Sequence, residues 1–136
     1  LGIDDCKLVE LPVVHDPQGN LCFIEQNRHV PFEIARVYHL YDVPGGAVRG
    51  GHAHRACEEM LVAVSGSFEV IVDDGVAKKR TRLSRSHTGL LLPPMIWREL
   101  VDFSTGSVCM VLASALYDEE DYIRDYGEYE SAIGVG

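Results

Sequence analysis

No stretch of this chain comes near 18 consecutive apolar residues, so the sequence offers no helix able to cross a bilayer. Its opening, Leu1-Gly2-Ile3-Asp4-Asp5, lacks a basic segment followed by an apolar run, and no secretory leader is expected. Basic residues are scarce. Twelve Lys and Arg stand against 21 Asp and Glu, a formal charge of −9, which argues against a nucleic-acid partner because duplex binding needs a basic face. A small anionic ligand is not excluded, since it needs only a few arginines gathered in one pocket. The four cysteines, Cys6, Cys22, Cys57 and Cys109, form no C-x-x-C pair, so reduced thiols in a cytoplasmic protein are expected. Internal repeats, low-complexity tracts and Gly/Ser-rich linkers are missing too, and 136 residues are expected to form one domain over 1–136.

What the chain does contain is a succession of short β-like runs separated by turn residues. Cys6–Leu11 ends at Pro12, and His15-Asp16-Pro17-Gln18-Gly19-Asn20 reads as a turn before Leu21–Gln26. Glu33–Tyr41 follows, then a break at Pro44-Gly45-Gly46. Glu59–Val64 and Ser67–Val72 flank Ser65-Gly66, and Asp73-Asp74-Gly75 is a tight-turn signal before Val76–Leu83. Gly89–Leu92, Ile96–Phe103 and Val108–Ala113 complete the set. Phe68, Val70 and Val72 alternate with Glu69 and Ile71, the period of a strand with one buried face. Many short strands predict an all-β sandwich or small barrel. A helix is predicted only in the tail, opening on Asp118-Glu119-Glu120-Asp121 and carrying Tyr122, Tyr126, Tyr129 and Ile133 on one face for packing.

The segment that carries chemistry is Gly46 through Gly66, with the spacing G-x5-H-x-H-x4-E-x6-G. On a strand His52 and His54 share one face, and Glu59 lies at the next strand. This spacing resembles the first motif of the cupins, which implies a jelly-roll fold. In metal-binding cupins these residues are ligands, and a second motif supplies another histidine. Here that second motif falls in Gly89–Arg98, and Arg98 stands at the histidine position. A guanidinium has no lone pair to offer a cation and repels it, so no metal is expected. Glu59 is the feature that keeps a metal-dependent cupin enzyme open as an alternative. Paired histidines near neutral pKa suit proton transfer, with Arg36, Tyr38, Arg49 and Arg98 available to hold an anionic substrate and stabilise an oxyanion.

Phe32–Tyr38, Arg49-Gly-Gly-His52-Ala53-His54, Val72–Gly75, Trp97, Asp102-Phe103-Ser104 and Tyr117–Tyr126 together resemble the dTDP-4-keto-6-deoxyhexose 3,4-ketoisomerases. That resemblance implies a small isomerase without cofactor, typically a homodimer, acting on a dTDP-linked 6-deoxy-4-ketohexose. It implies His52 and His54 as the catalytic pair, with Tyr38 beside them and Arg36 and Arg49 lining the substrate pocket. Arg98 stands where some members carry histidine, and Gln18 occupies a turn position that often carries a larger or charged residue. Both are expected to bear on substrate binding and on the configuration at C4, with the gluco product favoured. The non-enzymatic alternative is a sugar-nucleotide-binding module, which explains the arginines but gives the histidines no task.

Overall fold

The alternating segments build two antiparallel sheets facing one another, in a computed structural model that describes residues 2–134. In chain order the strands are β1 (Lys7–Glu10), β2 (Val13–Val14), β3 (Leu21–Cys22), β4 (Arg36–Leu40), β5 (Arg49–His54) and β6 (Glu59–Ser65). They continue with β7 (Phe68–Asp73), β8 (Lys78–Leu83), β9 (Thr88–Leu92), β10 (Trp97–Val101), β11 (Val108–Ala113) and β12 (Tyr122–Ile123), before helix α1 (Tyr126–Ala132). One sheet runs β1-β9-β6-β11-β4 and the other β12-β5-β10-β7-β8, with β2 and β3 forming a separate hairpin. This is the predicted all-β jelly-roll sandwich with a short C-terminal helix. Among the described residues no helix is long and apolar enough to cross a membrane.

The core lies where the inward faces meet. Phe68, Val70 and Val72 of β7 are buried, as their alternation predicts, and pack with Leu61, Leu90, Leu92, Leu100 and Val111. Phe68 stacks on Phe103 at 5.1 Å. Each large apolar side chain buried in this way contributes about 1.5–3 kcal/mol relative to exposure. A second apolar layer covers the other face of the first sheet, where Leu11, Val30 and Phe32 pack on Met60, Val62 and Leu112. The long segment between β1 and β4 is therefore a cover, and its predicted strand Leu21–Gln26 is reduced to the short pairing at Leu21–Cys22 and a single bridge from Gln26 to Val30.

The tail departs from expectation. The acidic run forms a 3-10 turn at Glu119–Asp121, and Tyr122 and Ile123 then pair with His54 and Ala53 of β5. Helical propensity loses here because Ile123 is fully buried against the sheet and the Asp121 carboxylate is bound to the backbone of Ala56 and Cys57. The helix begins only after Asp125, whose side chain caps it by accepting from the Glu128 N–H. Tyr122 consequently leaves the tyrosine stripe. Tyr126 and Tyr129 keep it, packing on Trp97 at 5.2 and 5.6 Å.

Tyr129 is fully buried, and its hydroxyl lies 3.0 Å from the Asp73 carbonyl and 2.9 Å from the Met95 carbonyl. It closes the C-terminal segment onto the second sheet. Tyr129→Phe leaves both carbonyls without that donor and should cost about 1–3 kcal/mol in urea unfolding. A variant as stable as the parent would show that the helix docks through its apolar surface alone.

Candidate active site

A cavity of about 400 Å³ opens at one end of the sandwich. Tyr38, Leu40, Glu59, Leu61 and Val111 form its wall on the first sheet. Arg49, His52, Arg98, Leu100, Tyr122 and Arg124 face them from the second. This volume lies within the range of small-molecule sites.

Simple alternation would put Arg49 and His52 on opposite faces, because they are three residues apart. The pairing of β5 with β10 shows why it does not. His52 lies opposite Arg98 and Arg49 opposite Leu100, so an extra residue of β5 bulges out between them. Gly50 makes this possible with φ +76°, and a Cβ there would sit 2.9 Å from Leu100 Cδ1. Arg49, His52 and His54 thus share the inner face.

The cavity wall holds a dense polar cluster. Arg98 donates from Nη1 to Glu59 Oε1 at 2.6 Å, with both side chains essentially buried. Tyr38 donates its hydroxyl to Glu59 Oε2 at 2.7 Å. Burial opposes ionisation of Glu59, yet the contact with His54 and the charge of Arg98 outweigh it and hold the carboxyl well below its ordinary range. Tyr38 is pushed the other way, by burial first and then by the Glu59 charge, so its hydroxyl stays protonated. Among the described residues, the buried Arg98 Nη2 has no acceptor.

The two histidines are not equivalent. His52 lines the cavity and is partly exposed, whereas His54 is fully buried behind it. Their Nε2 atoms lie 3.1 Å apart. Burial first, and then the positive charge of Arg98, pushes the His52 pKa down to about 3, so its imidazole is neutral at physiological pH. His54 also approaches Glu59 Oε1 at 3.3 Å through Nε2 and Asp121 Oδ2 at 2.9 Å through Nδ1.

Other expected residues fall differently. Arg36 does not line the cavity. It stacks over Tyr38 at 5.2 Å, lies 3.9 Å from Glu59 and reaches the Tyr122 hydroxyl at 3.5 Å, so it backs the wall. Gln18 is exposed in the turn between β2 and β3, its N–H held by Asp16 Oδ1 at 2.8 Å. That hairpin belongs to the cover over the first sheet's outer face, so Gln18 is not brought to this cavity. Trp97 is buried against α1. Tyr122, Arg124 and Asp121 were not expected; the motif containing them was visible, but a helical reading hid that β12 delivers Tyr122 beside His54 at 4.4 Å. Arg124 stacks on Tyr122 at 4.3 Å and is paired with Glu119 at 2.6 and 2.9 Å.

His52, His54 and Glu59 offer ligand atoms within 4.8 Å of one another, the cluster a cupin metal would use. A protein cation is already there, since Arg98 holds the Glu59 oxygen nearest His54. A divalent ion would face that guanidinium at close range, so these residues do not fit one.

The family described as FdtA: WxcM-like, C-terminal matches residues 4–134. The chain is 42% identical over 127 residues to a TDP-4-oxo-6-deoxy-alpha-D-glucose-3,4-oxoisomerase of Aneurinibacillus thermoaerophilus, covering 93% of this chain and 91% of that protein. Its structure superposes on a 3,4-ketoisomerase from Helicobacter canadensis with TM-score 0.93 at 38% identity, covering 96% and 98% of the two chains. It also superposes on a variant of the 3,4-ketoisomerase QdtA from Thermoanaerobacterium thermosaccharolyticum, solved in complex with TDP-4-keto-6-deoxyglucose. That match has TM-score 0.92 at 34% identity and covers 94% and 93% of the chains.

Glu59 and Arg98 carry the first measurable consequence of this geometry. Glu59→Gln keeps the shape but leaves the Arg98 charge buried and uncompensated. It should destabilise the protein by about 3–5 kcal/mol in urea unfolding. A loss under about 1 kcal/mol would mean that solvent, rather than Glu59, balances Arg98.

Proposed function

Because the chain belongs to the FdtA (WxcM-like) family of TDP-sugar 3,4-ketoisomerases, we propose that it converts TDP-4-keto-6-deoxyglucose to the TDP-3-keto-6-deoxyhexose through an enediol. The observation that carries this reading is a neutral, accessible His52 set among guanidinium donors at one cavity. The substrate is an α-hydroxyketone. A base takes the C3 proton, the C–H electrons form the C3–C4 double bond, and the former C4 carbonyl oxygen becomes an enediol oxygen. A proton then returns to C4 while the C3 hydroxyl gives up its own and becomes the ketone. Atoms and charge balance without an external oxidant.

His52 is the base in this proposal, because it is the histidine that reaches the cavity and its lone pair is free at neutral pH. His54, at 3.1 Å behind it, relays the proton. Tyr38 has committed its hydrogen to Glu59, so its oxygen accepts from a sugar hydroxyl and orients the ring. Arg98 offers its unpartnered Nη2 to the developing enediolate oxygen. Arg49, exposed at the mouth, holds the diphosphate, and Arg36 braces Tyr38 and Glu59 from behind. The Arg98–Glu59 pairing supports a reaction that needs no metal. The free thiols Cys6, Cys22, Cys57 and Cys109 support a reducing, cytoplasmic compartment.

The test is conversion of TDP-4-keto-6-deoxyglucose in D2O after exhaustive EDTA treatment, followed by proton NMR. The expected result is a 3-keto product formed at an undiminished rate, and a rate lower by about 100-fold or more in His52→Asn. Turnover that needs added Fe, Mn or Zn, or a His52→Asn variant of parental rate, would defeat the assignment. The same spectra report configuration. Arg98 is a poor proton donor where a histidine could donate, which supports return of the proton from the His52 side and the gluco product. A small H4–H5 coupling would identify the galacto epimer instead.

The working unit is read as a homodimer of one-domain chains. Among the described residues the outer strand β4 leaves one edge of its sheet unpaired, and Val37 and Tyr41 are exposed along it, apolar surface that a second copy would cover. Light scattering should give twice the chain mass of 15.1 kDa, and a monomer at micromolar concentration would contradict it.

A further inference from the structure

His54 touches no solvent, yet every nitrogen it has is engaged, and Asp121 is the partner on the side away from the cavity. We infer that Asp121 is a positioning residue for the isomerisation, holding the proton of His54 on Nδ1 so that Nε2 stays free to take the proton passed back from His52. The inference rests on the ketoisomerase reading and extends it to a residue outside the cavity wall.

The hydrogen-bond geometry leaves Asp121 one role. Its Oδ1 accepts from the Ala56 N–H at 2.7 Å, and its Oδ2 accepts from the Cys57 N–H at 3.4 Å. The residue's own carbonyl accepts from the Arg55 N–H at 2.8 Å. Both carboxylate oxygens therefore face donors of the turn after β5, which keeps the group acceptor-only. His54 Nδ1, at 2.9 Å from Oδ2, must then present a hydrogen. With Nδ1 so fixed, Nε2 is the one atom through which His54 can gain or lose a proton. That atom lies 3.1 Å from His52 Nε2 and 3.3 Å from Glu59 Oε1. When His52 has taken the C3 proton at one nitrogen, the hydrogen on its Nε2 can pass to His54. The resulting imidazolium is bracketed by Glu59 and Asp121, and reversal of the same steps returns a proton for delivery to C4. No net charge or proton is gained over the cycle.

Asparagine at 121 would reverse this. Its carbonyl oxygen must still face the Ala56 N–H, which turns its NH2 toward His54 Nδ1. An NH2 is a donor, so His54 must shift its hydrogen to Nε2 and can no longer receive one there. The test has two readouts. In the resting wild-type protein, long-range 1H–15N NMR should show His54 with a protonated Nδ1. In Asp121→Asn the hydrogen should appear on Nε2, with kcat lowered by about 100-fold or more and KM for TDP-4-keto-6-deoxyglucose within about threefold of the parent. Asp121→Glu, which retains a carboxylate, should recover part of the loss. A folded Asp121→Asn protein with parental kcat overturns the inference, and so does lost activity with the hydrogen still on Nδ1. If Asp121→Asn fails to fold, the wild-type spectrum decides, since a resting His54 protonated only at Nε2 overturns it alone. Should the wild-type protein not turn over this sugar nucleotide, the functional reading fails by itself, while the spectrum of the resting protein still tests the role of Asp121.

Discussion

The buried pairing of Glu59 with Arg98 is the constraint on which the rest of this molecule depends. One residue comes from β6 and the other from β10, so the bond joins the two sheets at the end where they would otherwise part around the cavity. Removing two charges from water costs several kcal/mol per ion, and that cost is met only where geometry is close and the remaining polar atoms find partners. Here Glu59 Oε2 takes the Tyr38 hydroxyl and Arg98 Nε reaches the Ile96 carbonyl. Core packing beyond the pair, through Leu61, Leu100 and Val111, holds the sheets at the separation this bond requires.

The chemistry of the neighbours follows from that one pair. Its positive end faces His52 and helps burial keep the imidazole neutral. Its negative end fixes the Tyr38 hydrogen and draws His54 to 3.3 Å. In a metal-binding cupin a divalent ion would organise the same side chains through coordination. Arg98 does so through a fixed charge and directional hydrogen bonds, which leaves the histidine lone pairs available for protons.

The sequence disclosed this arrangement unevenly, and the reasons are physical. Strands such as Phe68–Asp73 were legible because burial of one face imposes a period of two on the residues themselves. The His52/His54 pair was legible for the same reason. Arg49 joins them only through a bulge at Gly50, a departure from alternation that local pattern does not announce. The tail misled because four acidic residues look like a helix N-terminus, whereas Asp121 is committed to backbone groups and a histidine 67 residues away in sequence. Gln18 was placed at a turn correctly, yet the turn sits on the cover and not at the cavity. Which histidine faces solvent and which is buried depends on β12, so it could be read only once the fold was in hand.

A chain with formal charge −9 is an unlikely-looking host for an anionic ligand until charge is considered locally. The cavity lining carries three arginines, Arg49, Arg98 and Arg124, of which Arg98 engages Glu59 and Arg124 is paired with Glu119 at its exposed rim. Leu40, Leu61, Leu100 and Val111 complete the wall and lower its dielectric, so the guanidinium charge is less screened inside it than at the open surface. Burial first, and then the charges of Arg98 and Arg124, keep His52 neutral, so the positive charge that suits the cavity to an anionic ligand also leaves the His52 lone pair available to take a proton.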